Sequence, residues 1–180
     1  MASAFVIDRA TRGDAGAIAA IYREHVLGGV ASFETVPPDE AEIRARMAKV
    51  ADAGLPWLAA RGSGGDLLGY AYAGLYHARP AYRLTCEDSI YIRHDLRGQG
   101  IGTALLTALI EACEAVGMRQ MVALIAGTET ASVALHERAG FRHCGRLEHV
   151  GRKFGQWLDV IHMQRALGPG SSTPPHKEPQ

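Results

Sequence analysis

The spacing of apolar and polar positions predicts alternating helices and strands. Apolar residues recur every three or four positions after Asp14, after Pro37-Pro38-Asp39 and over 101–113, which is typical of helices that bury one face. Asp14 stands where the cap of the first helix is expected. A short helix is predicted over 130–139, and Gly140 would end it. Runs typical of strands lie at 5–9, 57–60, 67–75, 85–92, 121–125, 142–150 and 154–165.

The order of these elements is β-α-α-β-β-β-α-β-α-β-β. It predicts an α+β fold with one central sheet flanked by helices, because it lacks the strict βαβ alternation of a Rossmann domain. We expect a single domain over residues 1–167. The last segment, 168–180, is rich in Gly, Pro and Ser, so we expect a disordered tail there.

Charge and cysteine content narrow the classes of function. The chain has 19 basic and 19 acidic side chains and no formal net charge, so neither nucleic acid nor a membrane surface is an expected partner. No apolar run approaches the roughly 20 residues of a membrane span, and the N-terminus has no secretory pattern. Cys86, Cys113 and Cys144 are odd in number and far apart, so we expect a reducing, cytoplasmic location and no metal.

A glycine-rich turn carries the most informative chemistry. The predicted strand 85–92 leads into Arg97-Gly-Gln-Gly-Ile-Gly102, which opens the helix over 101–113. Glycines allow close backbone approach, and a helix N-terminus offers free N–H groups, so this turn can hold a pyrophosphate. A dinucleotide fingerprint fails because its third glycine would fall on Thr103, and the lysine of a P-loop is missing. An ordinary glycine-rich turn remains the alternative at this point.

Five segments in a fixed order make the interpretation more specific. They are Ala31–Glu34, Arg79–Tyr91, the turn Arg97–Gly102, Ile125–Phe141 and Lys153–Val160. The turn matches [R/Q]-x-x-G-x-[G/A], and the fourth segment ends in Gly-Phe. Together they resemble the GNAT N-acetyltransferase superfamily, and its phosphinothricin and methionine sulfoximine N-acetyltransferase branch, over about residues 5 to 166.

The resemblance implies a fold and a co-substrate. It implies a mixed, mostly antiparallel sheet in which the strand before the turn splays from its neighbour and frees backbone groups for pantetheine. It implies acetyl-CoA and no metal, and relatives are commonly homodimers. The branch usually has Asn where this chain has Glu129 or Thr128. The residues expected to contact acetyl-CoA are Ile90, Tyr91, Ile92, Arg97, Gly98, Gln99, Gly100, Ile101, Gly102, Glu129 and Ser132.

Acetyl transfer to an amine needs a base, because an α-amino group has a pKa near ~8 and is mostly charged at neutral pH. Glu87 and His136 are the candidate catalytic residues. The resemblance places the branch's proposed base on Glu87. His136 lies where many GNAT enzymes have a Tyr that protonates the departing thiolate, and its own pKa range would also suit a base. The sequence leaves the choice between them open.

A small amino-acid-like amine is the expected substrate. Arg79 could hold a carboxylate or phosphinate with its planar fork. Trp157 is expected in the core or at a dimer interface. Two alternatives are a peptide N-terminal acetyltransferase, which needs an open groove, and an acyl-CoA-binding module without catalysis. The residues expected to contact the substrate are Phe33, Glu34, Tyr72, Arg79, Tyr82 and Tyr91.

Overall fold

The computed structural model describes residues 5–175 and confirms the predicted order of elements. Its strands form one seven-stranded sheet. The strands are β1 (Phe5–Arg9), β2 (Trp57–Gly62), β3 (Leu67–Leu75), β4 (Thr85–Ile92), β5 (Gln120–Ala126), β6 (Arg142–Lys153) and β7 (Gln156–Ala166). The helices are α1 (Ala15–Gly28), α2 (Glu40–Asp52), α3 (Ile101–Ala115) and α4 (Thr130–Arg138).

The sheet is mixed and mostly antiparallel, as the resemblance implied. Its strand order is β1-β2-β3-β4-β5-β7-β6, and only β4 and β5 run parallel. These two strands pair over three positions, from Thr85 with Gln120 to Glu87 with Val122. Beyond Glu87 they diverge, so the backbone groups of β4 from Asp88 onward have no ladder partner on β5. The divergence opens a wedge in the middle of the sheet.

Helix α3 shows why the apolar stripe predicted this architecture. Leu105, Leu106, Leu109 and Cys113 recur at helical spacing, and all four are fully buried. The helix packs on β2, β3 and β4, while α1 and α2 also contact β3. Burial of these apolar side chains is the main stabilising contribution to the fold.

The starts of the first two helices differ in chemistry. Asp39 accepts a hydrogen bond from the backbone N of Glu42 at 2.8 Å and caps α2. Asp14 occupies the N-cap position of α1, as predicted, but its side chain makes no capping hydrogen bond because its carboxylate is engaged elsewhere. It accepts from the backbone N of Thr11 at 2.6 Å and from two nitrogens of Arg61 at 2.8 and 2.9 Å. The Arg61 hydrogen bonds lower the pKa of Asp14 to about 2.

The predicted tail lies partly outside the described residues, since 176–180 are not described. Residues 168–173 form turns and bends, and the expected disorder of the tail stays a prediction. Arg119 holds them by donating to the carbonyl of Gly170 at 3.0 Å and to Thr173 and Pro174 at 3.3 Å. The boundary of the domain at residue 167 stays a prediction.

Within 5–175, no helix combines the length and apolar character that a membrane crossing requires.

Candidate active site

The wedge between β4 and β5 opens into a cavity of about 860 Å³. This volume is within the usual range of small-molecule sites. Its walls come from β4, the glycine turn, β5, α4 and the loop 31–34. The cavity therefore joins the two ends that the sequence predicted separately, a phosphate-binding turn and a substrate pocket.

The glycine turn forms one end of the cavity. Gly98 and Gly100 have positive φ angles of 77° and 83°, a conformation that favours glycine. A Cβ atom built at either position would meet no atom within 4 Å, so the space before α3 is open to a ligand. Gly100 directly precedes α3, whose first N–H groups have no partner within the helix. Gln99, unlike its predicted companions in the turn, does not line the cavity.

His25, on the last turn of α1, contacts Ile92 and Arg97 at this end of the cavity. The sequence analysis did not predict it. Its Nε2 lies 2.9 Å from the carbonyl oxygen of Ile92. A carbonyl can only accept, so Nε2 carries the proton and is the donor. Its Nδ1 then accepts from Arg97 at 3.4 Å. Burial is the main cause that lowers the pKa of His25 to about 4. The charges of His94 and Arg97 lower the pKa further, whereas the hydrogen bond to Ile92 raises it. His25 is therefore neutral near pH 7.

Glu87 lies at the last paired position of β4 and β5, where the wedge begins. Its side chain is half-buried and lines the cavity. Burial raises the pKa of its carboxyl, and the neighbouring negative charge of Asp88 raises it further. A carboxylate with a raised pKa is a stronger base than an ordinary one.

His136, on α4, faces the same cavity but is held on both sides. Its Nδ1 contacts the carbonyl of Ser132 at 2.7 Å, and its Nε2 contacts Oδ2 of Asp88 at 3.0 Å. Phe141 packs edge-on against the ring. Burial alone would lower the pKa of His136, but the hydrogen bond to Asp88 and its charge outweigh burial and raise it. No sequence pattern pointed to Asp88, because its partner is 48 positions away.

The loop 31–34 forms the other end of the cavity and is anchored from two sides. Glu34 accepts from Arg46 at 2.7 Å and from the hydroxyl of Tyr22 at 3.1 Å. Lys153 reaches from β6 and donates to the carbonyl of Ser32 at 2.7 Å. This arrangement holds the predicted substrate residue Glu34 in an ion pair.

Phe33 and Tyr72 also line this end. The ring of Phe33 lies against Gly151 so closely that a Cβ there would be 2.1 Å from Cε2 of the ring, so a larger residue at 151 would require the ring to move. Tyr72 stacks on Trp57 with 4.1 Å between ring centroids. Both aromatic rings therefore form walls of the cavity at this end.

Arg79 and Tyr82 do not line the cavity, which differs from the prediction. Both are exposed, in the loop after β3. Arg79 precedes a 3-10 turn over Pro80–Tyr82, and the ring of Tyr82 packs on Tyr76 and His77 at 5.7 and 5.0 Å between centroids. These local contacts turn the segment outward, so the pocket as it stands has no wall from it.

The remaining predicted residues meet at the cavity. They line it along β4, along the start of α3 and at the beginning of α4, and their binding roles stay predictions. Tyr91 packs edge-on against Tyr22 at 4.8 Å. These lining residues are Ile90, Tyr91, Ile92, Arg97, Ile101, Gly102, Glu129 and Ser132. Within the described part of the chain, no cluster of three or more His, Cys, Asp or Glu could hold a metal ion.

Comparison with known proteins agrees with this geometry. The acetyltransferase (GNAT) family model matches residues 18–141. The chain is 53% identical to a phosphinothricin N-acetyltransferase of Alcaligenes faecalis, over 90% of this chain and 82% of that protein. It is 42% identical to an L-methionine sulfoximine/L-methionine sulfone acetyltransferase of Pseudomonas aeruginosa, over 89% and 94%.

A solved structure is similar over almost the whole chain. It is a GNAT superfamily phosphinothricin acetyltransferase from Sinorhizobium meliloti in complex with acetyl-CoA. The TM-score is 0.94 at 44% identity, and the match covers 97% of this chain and 94% of that one.

The fold, the glycine turn and these similarities define an N-acetyltransferase that uses acetyl-CoA as donor. The chain belongs to the GNAT acetyltransferase family, in the branch of the phosphinothricin and methionine sulfoximine acetyltransferases.

Proposed function

We propose that this chain acetylates the α-amine of a small amino acid whose side chain ends in a polar tetrahedral group. Phosphinothricin, methionine sulfone and methionine sulfoximine are the substrates of this type. The observation that carries the proposal is that Glu87 and the glycine turn share one cavity with the aromatic end at Phe33 and Tyr72. The relatives from A. faecalis and P. aeruginosa are a phosphinothricin N-acetyltransferase and an L-methionine sulfoximine/L-methionine sulfone acetyltransferase, which supports the same substrate class.

The residues present fit acetyl-CoA. Open space in front of Gly98 and Gly100, together with the N–H groups that begin α3, suits the diphosphate. Arg97 adds a positive charge beside it. The backbone of β4 beyond Glu87, freed from β5, suits the pantetheine arm. When bound, acetyl-CoA supplies an activated acetyl group as a thioester.

In this proposal Glu87 is the general base. Its ionised carboxylate takes a proton from the substrate ammonium, directly or through one water, and so provides the neutral amine that attacks the acetyl carbon. The C–N bond forms, the C–S bond of the thioester breaks, and the proton that the attacking nitrogen then loses goes to the departing CoA thiolate. Backbone N–H groups around Tyr91 and Ile92 stabilise the oxyanion that develops on the acetyl carbonyl. The raised pKa of Glu87 brings its basicity closer to that of the amine.

The aromatic end selects the substrate. Tyr72 lines it, and burial raises the pKa of its hydroxyl, which therefore keeps its proton near pH 7. A protonated hydroxyl can donate to a sulfonyl or phosphinate oxygen. Phe33 closes the wall. Arg79 as a carboxylate or phosphinate contact and Tyr82 as a pocket residue stay predictions, since the cavity is lined without them.

A thiol-release assay with acetyl-CoA tests the proposal. The panel contains phosphinothricin, methionine sulfone, methionine sulfoximine, methionine and a peptide with a free N-terminus. We expect the three tetrahedral-group amino acids to have the highest kcat/KM. Preference for the peptide over every free amino acid would favour the N-terminal acetyltransferase instead, and CoA binding without turnover on any amine would favour the non-catalytic module.

We further propose that the protein is a homodimer that uses the hairpin of β6 and β7. Leu147, Val150, Phe154 and Trp157 on this hairpin each expose between 50% and 60% of their surface. Several large, exposed apolar side chains on one hairpin are typical of an interface. Light scattering should give a dimer, and Trp157→Glu should shift it to a monomer. Val6→Glu, at the equally exposed opposite edge of the sheet, is the control and should stay dimeric.

The cytoplasmic location stays a prediction.

A further inference from the structure

Asp88 and His136 form a buried pair at the wedge, and their hydrogen bonds fix how many protons the pair holds. Both residues are more than nine-tenths buried. The carbonyl of Ser132 can only accept, so Nδ1 of His136 carries a proton. On the other side Nε2 faces Oδ2 of Asp88 at 3.0 Å. An unprotonated Nε2 would set a lone pair against a carboxylate oxygen, so this contact needs a proton as well.

The extra proton belongs on the imidazole. Imidazole is the stronger base of the two, because the unperturbed side chains have pKa values of about 6.5 for His and about 3.9 for Asp. An imidazolium beside a carboxylate is also neutral as a pair, which lowers the cost of burying either charge. Loss of that proton would leave an uncompensated carboxylate in the core. The other oxygen of Asp88, Oδ1, is buried with no hydrogen-bond partner among residues 5–175, so His136 is essential to this carboxylate.

The groups packed around the pair do not replace either partner. Cys113 on α3 lies near Asp88, and a hydrogen bond with Cys86 together with burial raises the pKa of its thiol, which stays neutral. Phe141 covers the ring of His136. Glu87 is the adjacent acidic group on β4, and the negative charge of Asp88 raises its pKa. The cation that Asp88 needs is therefore His136.

We infer that Asp88 is a positioning residue that keeps His136 as an imidazolium near pH 7, connects α4 to β4 and prevents His136 from acting as the base. Both N–H groups of His136 are occupied, by Ser132 and by Asp88, so the ring has no lone pair to accept a proton from an amine. The base of the reaction is then Glu87. The last step rests on the function proposed above, whereas the protonation state of the pair does not.

Nitrogen NMR on ¹⁵N-histidine-labelled protein without ligands tests the pair directly. We expect both ring nitrogens of His136 to show imidazolium shifts from pH 6 to 8. Asp88→Asn retains a side chain of the same shape whose amide can donate to Nε2, so there the ring should carry one proton at pH 7. A His136 with one unprotonated nitrogen at pH 7 in the unmodified protein would overturn the inference. Because no substrate is involved, failure of the proposed activity leaves this result unaffected.

The pH profile of kcat/KM tests the second half of the inference. His136→Gln can still donate an amide N–H to Asp88, so the fold has a substitute hydrogen bond. We expect its turnover to fall but its acidic limb to remain, because Glu87 titrates there, and Glu87→Gln to lose that limb. Loss of the limb in His136→Gln with retention in Glu87→Gln would make His136 the base. If His136→Gln does not fold, the NMR result on the unmodified protein still decides the protonation state.

Discussion

Two buried histidines that line one cavity have opposite charge states. His25, at the phosphate end, and His136, at the wedge, are 4% and 3% exposed. His25 meets one acceptor and one guanidinium donor, so it is neutral. His136 meets two acceptors, so it is charged. Burial is the same in both, and therefore the hydrogen-bond partners decide the charge.

The difference in charge suits the side chain that neighbours each histidine. A neutral His25 can support Arg97 without placing a second positive charge against that guanidinium. A charged His136 balances Asp88 and makes the centre of the sheet neutral as a pair. Neither ring has a free lone pair directed at the wedge, which leaves Glu87 as the carboxylate that can accept the proton there.

The largest effect is expected from removal of the base. Glu87→Gln keeps shape and hydrogen-bonding reach but cannot take the proton. We expect kcat to fall by about 10²–10⁴, with CoA affinity nearly unchanged. Steady-state kinetics and calorimetry measure the two quantities. Glu111→Gln makes the same chemical change at an exposed position of α3 outside the cavity and should leave both unchanged. Near-normal turnover in Glu87→Gln would show that a histidine or water path suffices.

The next effect concerns the phosphate end. Gly100→Asp places a negative charge in the open space before α3, so CoA affinity should fall at least about tenfold, or about 1.4 kcal/mol. Gly100→Asn, of equal size but uncharged and tolerant of a positive φ, should lose less. Gly117→Asp makes the change at a glycine of φ 87° past the other end of α3 and should bind CoA normally. Equal affinity in all three folded variants would place the diphosphate elsewhere.

A smaller effect is expected from His25. His25→Phe leaves the carbonyl of Ile92 unpaired and Arg97 unsupported, so the protein should lose about 1–3 kcal/mol of unfolding free energy, and CoA affinity should drop roughly two- to tenfold. His25→Gln offers a donor and an acceptor in the same places and should recover most of both. Denaturant unfolding and CoA titration measure the pair of values. A stability loss without any change in CoA affinity would make His25 structural only.

The smallest effects are changes of folding stability with pH, and they have opposite signs for His25 and His136. The pKa of His25 is depressed to about 4, so its contribution to stability is present above pH 6.5 and is lost as pH falls towards 4. The pKa of His136 is raised, so its contribution is present below pH 6.5 and is lost as pH rises through the raised value. The stability curve should therefore flatten on the acidic side in His25→Gln and on the alkaline side in Asp88→Asn. Identical curves for both variants would contradict the assigned charge states.

Local sequence patterns were sufficient to predict some of these features but not others. The order of elements, the turn Arg97–Gly102 and the place of Glu87 on a central strand follow from periodicity and from motifs in order. The two histidine environments do not, because they depend on partners 48 and 67 positions away. Arg79 lies outside the cavity because ring packing in its loop, which no periodicity reveals, turns the segment outward.

Competition between two amines for a limiting supply of acetyl-CoA is the decisive test of the proposed substrate class. Phosphinothricin and a peptide with a free N-terminal amine are supplied together at equal concentration, and mass spectrometry measures the acetylated products. Their ratio equals the ratio of the two kcat/KM values. We predict that the α-nitrogen of phosphinothricin carries at least about ten times more acetyl than the peptide, a difference of about 1.4 kcal/mol. A product mixture in which the acetylated peptide predominates would contradict the proposal.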